Sequence, residues 1–238
     1  MLHHCFRFPL RLSVLVGLMV FGGVTVYFGL GCQTIRGGQA GIVPERPDEK
    51  ITADACSFNA RLWRDGKPTT FKLELYYTDS LVGIAGRGYL GKGALKGRLS
   101  ADSIRVYFPG TNEYYFESLN DLTSRSDCPV PLASLNVIRL LSALPDSLQM
   151  PDSLKVISNY SDPKRPTFSV RPINTECKWG VDLGYVLQGK KWTIEYFQFV
   201  DGEDLVLKAT REKYRAGAGI PLKRFEVEPP GDAVRITR

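Results

Sequence analysis

The chain has 238 residues, 43% of them hydrophobic and 24% charged, ordinary proportions for a folded domain, so disorder is not its default state. A net charge of +6 comes without any long Lys/Arg block, which argues against a nucleic-acid-binding tail. Both histidines, His3 and His4, sit at the extreme N-terminus, which excludes Ser-His-Asp, Cys-His and His-containing zinc chemistry from everything after it.

The chain opens on a basic start (Arg7, Arg11), an uncharged run Ser13–Leu30 without Pro, and a small-residue exit at Gly31-Cys32 followed by Gln33-Thr34-Ile35-Arg36. Basic flank, apolar centre and small exit are the parts of a secretory signal. With a Cys at the exit, the segment resembles a bacterial lipoprotein signal, although Gly29 stands where that family usually has Leu. The resemblance implies a signal peptide over 1–32, lipidation at Cys32 and, with Gln33 rather than Asp after the Cys, an outer-membrane anchor facing the periplasm. The apolar run is also close to the ~20 residues of a spanning helix. An inner-membrane anchor that is retained, or simple cleavage, therefore remains an alternative. Gly37-Gly38-Gln39-Ala40-Gly41, Pro44 and Pro47 make 33–51 a flexible tether. Residues 52–238 are long enough for one domain with its own core.

From Cys56 onward the pattern has period two. In Phe71-Lys72-Leu73-Glu74-Leu75-Tyr76-Tyr77 and in Ser103-Ile104-Arg105-Val106-Tyr107-Phe108, apolar residues alternate with largely polar ones, as in strands with one wet face. Further strands are expected at Ser57–Arg64, Leu81–Tyr89, Glu113–Glu117, Thr167–Arg171, Asp182–Leu187, Trp192–Phe199, Leu205–Arg211, Lys223–Glu228 and Ala233–Thr237. Asp65-Gly66, Pro109-Gly110, Gln188-Gly189-Lys190, Asp201-Gly202 and Pro230-Gly231 supply turns between them. One stretch breaks the alternation. Leu132–Leu144 carries Val137, Leu140, Leu141 and Leu144 on one helical stripe between Pro131 and Pro145, and a second helical turn is expected at Ser118–Ser124. The class is α+β, a large antiparallel sheet with a helix across one face.

Cys56, Cys128 and Cys177 are an odd set, so at most one internal bridge forms, and spacing does not say which. Gly86-Arg87-Gly88-Tyr89-Leu90-Gly91 fits a dinucleotide fingerprint, but a glycine-rich segment follows it instead of the required helix. Glycines there mark bends and close approaches in a curling sheet. Glu74, Glu113, Glu117 and Glu195 are the carboxylates a glycoside hydrolase would need, yet their strand positions are those of ordinary solvent-face charges. No metal site, cofactor, nucleophile motif or catalytic residue is expected.

Two stretches resemble the LolA/LolB family and its LolA-like lipoproteins. One is Leu81–Phe116, a glycine-rich hairpin leading into Asp102–Pro109 and Asn112-Glu113-Tyr114-Tyr115. The other is Trp192–Thr237, a long hairpin followed by Gly219-Ile220-Pro221-Leu222-Lys223-Arg224-Phe225-Glu226-Val227. The resemblance implies an incomplete barrel of about eleven strands whose open side is covered by one or two helices. It also implies a non-enzymatic role, with a lipid or the acyl chain of a lipoprotein held in an apolar groove. Phe71, Leu73, Leu75, Ile104, Val106 and Phe108 on the strands, Val137, Leu140, Leu141 and Leu144 on the helix, and Trp192 and Ile194 would line it. The alternative is that these residues form a packed core and the domain is an envelope scaffold. Trp63, Tyr76, Tyr107, Tyr114, Tyr115, Phe197 and Phe199 would then supply an exposed aromatic surface for an envelope protein partner.

Overall fold

The computed structural model describes residues 49–64, 66–88, 93–124, 128–131 and 136–236. The leader, Cys32 and residues 33–48 of the expected tether lie outside the described residues. The described chain forms one curled, open sheet of twelve strands. These are β1 (Lys50–Arg64), β2 (Lys67–Tyr77), β3 (Leu81–Arg87), β4 (Gly93–Ser100), β5 (Ser103–Phe108), β6 (Glu113–Ser118), β7 (Leu154–Asn159), β8 (Thr167–Pro172), β9 (Trp179–Gln188), β10 (Lys191–Asp201), β11 (Asp204–Pro221) and β12 (Val234–Arg235). Two meanders, β1–β6 and β7–β11, meet where β1 pairs with β11, giving the order β12-β6-β5-β4-β3-β2-β1-β11-β10-β9-β8-β7. The short β12 pairs parallel with β6; the other pairs are antiparallel.

Alternation delivers the core. Cys56, Phe58, Ala60 and Leu62 of β1, Phe71, Leu73, Leu75 and Tyr77 of β2, and their counterparts on the other strands bury one continuous inner face. Phe58 meets Phe197 edge-on at 5.3 Å, and Phe168 meets Tyr185 at 5.6 Å, geometries that add to simple area burial. The 18-residue β11 bends around β1 through register shifts opposite Ala53/Ala55 and Ser57/Phe58. Gly217 occupies the first of these with φ +55, a left-handed backbone that a side chain would strain.

The described parts of the segment between β6 and β7 form a lid over the inner face, and here the expected helix is corrected. Helix α1 (Leu119–Ser124) forms where a helical turn was expected, with the Ser118 hydroxyl accepting the Asp121 N–H at 3.0 Å as an N-cap. Of Leu132–Leu144, residues 132–135 lie outside the described residues. The remainder is a turn and a single 3-10 turn, Arg139–Leu141, with another at Pro145–Ser147. Asn136 explains the difference. Its φ of +47 cannot continue an α-helix, and its side-chain oxygen takes the Arg139 N–H at 3.3 Å. The apolar stripe survives: Val137, Leu140, Leu141 and Leu144 are buried against the sheet.

A second correction concerns Lys223–Glu228, which is not a strand. Leu222–Arg224 is a 3-10 turn, and the chain then runs as a strap over the outer face of β2 and β3 before joining β6 as β12. Phe225 and Val227 are buried while Glu226 and Glu228 are exposed, so the period of two reflects packing onto a sheet face, without ladder bonds. Phe225 closes a small outer cluster with Ala53, Ala55, Tyr76 and Ile220. A Cβ on Gly83 would overlap the Arg224 carbonyl, which fixes glycine at that crossing.

Candidate functional site

The expected groove residues converge. Phe71, Leu73, Leu75, Ile104, Val106, Val137, Leu140, Leu141, Leu144 and Ile194 are buried in one apolar cluster, with Phe108 and Trp192 half-buried against it. They form the apolar boundary between sheet and lid. A hollow of about 520 Å³ lies within the lid. It is lined by Asn136, Arg139, Ser147, Leu148, Gln149, Met150, Pro151 and Asp152, none of them an expected groove residue.

Three fastenings of the lid are seen among its described residues. The Cys128–Cys177 disulfide, with Cα atoms 5.2 Å apart, ties its first part to the β8–β9 connection. The Tyr185 hydroxyl, fully buried, donates to the Leu140 carbonyl at 2.7 Å, and the Tyr160 hydroxyl donates to Asp146. The indole N–H of Trp179 is buried without a hydrogen-bond partner among the described residues. It sits on the strand that follows Cys177, so an unpaired donor lies close to the fastening.

A polar cluster occupies the end of the inner face where β11 bulges. Asp54, 7% exposed, accepts from the Lys191 ammonium, the Tyr214 hydroxyl at 3.0 Å and the Gly217 N–H at 3.0 Å. Burial pushes its pKa up, but those three donors and the Lys191 charge outweigh it and hold the carboxyl below its ordinary range. Alongside, Arg211 donates to the Thr193 hydroxyl at 2.7 Å and the Ile194 carbonyl at 2.8 Å. Cys56 lies 3.8 Å from the Tyr77 hydroxyl, and burial pushes its thiol up to about 11, away from nucleophilic use. Sequence reading missed this cluster, because its members are scattered from 54 to 217 and only the bulges bring them together. Asp54 beside two small apolar residues was its one local signal.

The carboxylates weighed for hydrolysis are dispersed. Glu74 accepts from Tyr76 at 2.7 Å and from Arg87 at 3.1 Å on the outer face, Glu195 pairs with Arg165 at 3.5 Å, and Glu113 accepts from Thr111 at 2.8 Å. Glu117 is buried on the inner side opposite Ile104. Of the fingerprint glycines, Gly86 lies in β3 and Gly88 just after it, while Gly91 is outside the described residues; the next described element is the strand β4, not a helix. Among the described residues, no group of three or more His, Cys, Asp or Glu could hold a metal ion, and no helix is long and apolar enough to cross a membrane. The aromatic surface dissolves: Tyr76, Tyr115, Phe197 and Phe199 are buried, and Trp63, Tyr107 and Tyr114 half-buried.

No family model and no curated protein matches the sequence. Among solved structures the chain is similar to an uncharacterized conserved protein from Thermus thermophilus, at 10% identity over 79% of this chain and 91% of that one, with a TM-score of 0.43. It is similar also to a DUF1329 family protein from Desulfovibrio piger, at 11% identity over 74% and 90%, with a TM-score of 0.45. A LolA superfamily protein from Nitrosomonas europaea matches at 8% identity over 76% and 92%, with a TM-score of 0.34.

Proposed function

We propose that this chain is an envelope lipoprotein, anchored to the outer membrane through Cys32, whose half-barrel takes up an acyl chain or lipidated ligand between sheet and lid without catalysing a reaction. The observation that carries this reading is the composition of that boundary. A continuous apolar sheet face meets a lid whose described residues pack on it through apolar side chains, the Cys128–Cys177 disulfide and the Tyr185–Leu140 bond, and not through a strand ladder. A lid of this kind parts from the sheet without breaking a strand ladder. An entering chain would take the places of Leu140, Leu141 and Leu144, and the unpaired Trp179 N–H would meet its ester or carboxyl oxygen. The test is native mass spectrometry of the full chain from membranes, together with displacement of a fluorescent fatty acid. One bound acyl species per chain supports the reading; no lipid in either assay refutes it.

One observation favours a second reading, an envelope scaffold with no ligand. Phe58, Leu73, Tyr185, Phe197 and Leu207 are all at 0% exposure, as in a finished core. Crosslinking from intact envelope separates the two: a single fixed protein partner and no lipid belongs to the scaffold. Replacement of Cys32 by Ala abolishes acyl labelling under either reading, and unchanged labelling would remove the anchor.

A further inference from the structure

The two ends of the sheet are unlike. One is the two-residue β12, which leaves little ladder to pair. The other is β7, six residues that pair, among the described residues, with β8 alone. The Ile173 N–H donates to the Ser153 carbonyl at 2.9 Å, which makes Ser153 and Ile173 a hydrogen-bonded pair. Antiparallel alternation then assigns Lys155, Ile157 and Asn159 to the bonded pairs with Arg171, Ser169 and Thr167. The N–H and C=O groups of Val156 and Ser158 therefore point away from β8. Of the five exposed large apolar side chains among the described residues, three lie along this margin: Ile157 at 50%, Tyr160 at 45% and Ile173 at 59%. Natural edges are usually blunted by charge, Pro or a bulge. Lys155 is the single charge in Leu-Lys-Val-Ile-Ser-Asn.

We propose that β7 is a homodimer interface, pairing antiparallel with β7 of a second copy to continue the sheet across a two-fold axis. The strand is self-complementary in one register. With Ile157 on the axis, Val156 of each copy faces Ser158 of the other, and these are the residues whose ladder groups are free, giving four backbone hydrogen bonds. Ile157 meets its own copy at a non-hydrogen-bonded pair, where side chains approach most closely. Lys155 faces Asn159, so the one cation never opposes itself, and Tyr160 falls opposite Leu154. An isologous contact of this kind closes at two copies. In chains tethered to one membrane, confinement raises the effective concentration and strengthens a weak contact.

The test uses the full chain in detergent. Sedimentation is expected to show a monomer–dimer equilibrium. Val156→Pro removes the outward donor while leaving the β7–β8 ladder intact, and should weaken the dimer at least tenfold, with Val156→Ala close to wild type. Because a proline variant can misfold, a second measurement fixes the register. Ile157→Cys should form an intermolecular disulfide on mild oxidation, since Cα atoms at about 4.5 Å in such a pair suit the bond. Lys155→Cys, offset from its copy, should not. A monomer at every concentration, open-ended oligomers, or equal crosslinking at 155 and 157 would overturn the proposal.

Discussion

Replacing Asp54 by Ala tests the polar cluster at the bulged end of β11. The side chain is 8% exposed and accepts three hydrogen bonds, while its ion partner Lys191 is 49% exposed. Breaking a fully buried pair costs about 3–5 kcal/mol. Half of this pair reaches water, so the ionic share is screened, and most of the loss comes from stranding the Gly217 N–H and the Tyr214 hydroxyl at about 1–3 kcal/mol each. The expected destabilisation is about 3 kcal/mol at pH 7, or roughly 6–12 °C in Tm for a domain of this size. Asp54→Asn keeps an acceptor for Gly217 and should lose about 1 kcal/mol. The pH dependence follows from the lowered folded pKa. The stabilisation is fully present above the unfolded value near 3.9 and fades as pH falls through the lower folded value. Urea unfolding of wild type and both variants between pH 3 and pH 7 measures this. A loss under 1 kcal/mol for Asp54→Ala, or a difference that widens on acidification, refutes the reasoning.

Three other outcomes are expected. Tyr185→Phe leaves the Leu140 carbonyl unpaired and should cost about 1–2 kcal/mol, with hydrogen exchange accelerated in the 3-10 turn of the lid more than in β9. Reduction of Cys128–Cys177, which closes a separation of 49 residues, should remove about 4 kcal/mol by loop entropy, read as a fall in the denaturant midpoint; an unchanged midpoint would show that the lid is held without it. Gly83→Ala should push the strap off the outer face at about 1–3 kcal/mol, visible as protease sensitivity near Arg224 while β1–β2 remains protected.

The strands with one wet face were legible because each carries its own alternation, as at Phe71–Tyr77 and Ser103–Phe108. β4 escaped because Gly93, Gly97 and Lys96 look like a loop, although Gly97 lies against Ile84 and Gly86 against Leu95 where the sheet curls. β7 escaped because its outer positions are Lys155, Ile157 and Asn159, an apolar residue where a wet face should be polar. β1 begins at Lys50, inside the expected tether, since its first residues take their partners from Ile220 and Pro221, far away in sequence. The lid stripe was read correctly as buried and wrongly as one helix, because periodicity reports which residues face inward and not the left-handed backbone at Asn136. The bridge between Cys128 and Cys177 depended on how the lid folds back, which no local pattern encodes.

The meeting of β1 with β11 in the middle of the sheet has a kinetic consequence. The first strand to be made needs the last long one as its neighbour, so a central seam of the sheet cannot close until nearly the whole chain is available. Loop closure over such a span must precede the contacts that repay it, which places the domain among slow, high-contact-order folders. Until then the apolar inner residues of β1 stand at a half-sheet margin, a sticky nascent edge that a holding chaperone would shield. A chain ending before Asp204 should never leave that stage, and should aggregate during refolding while the complete chain recovers.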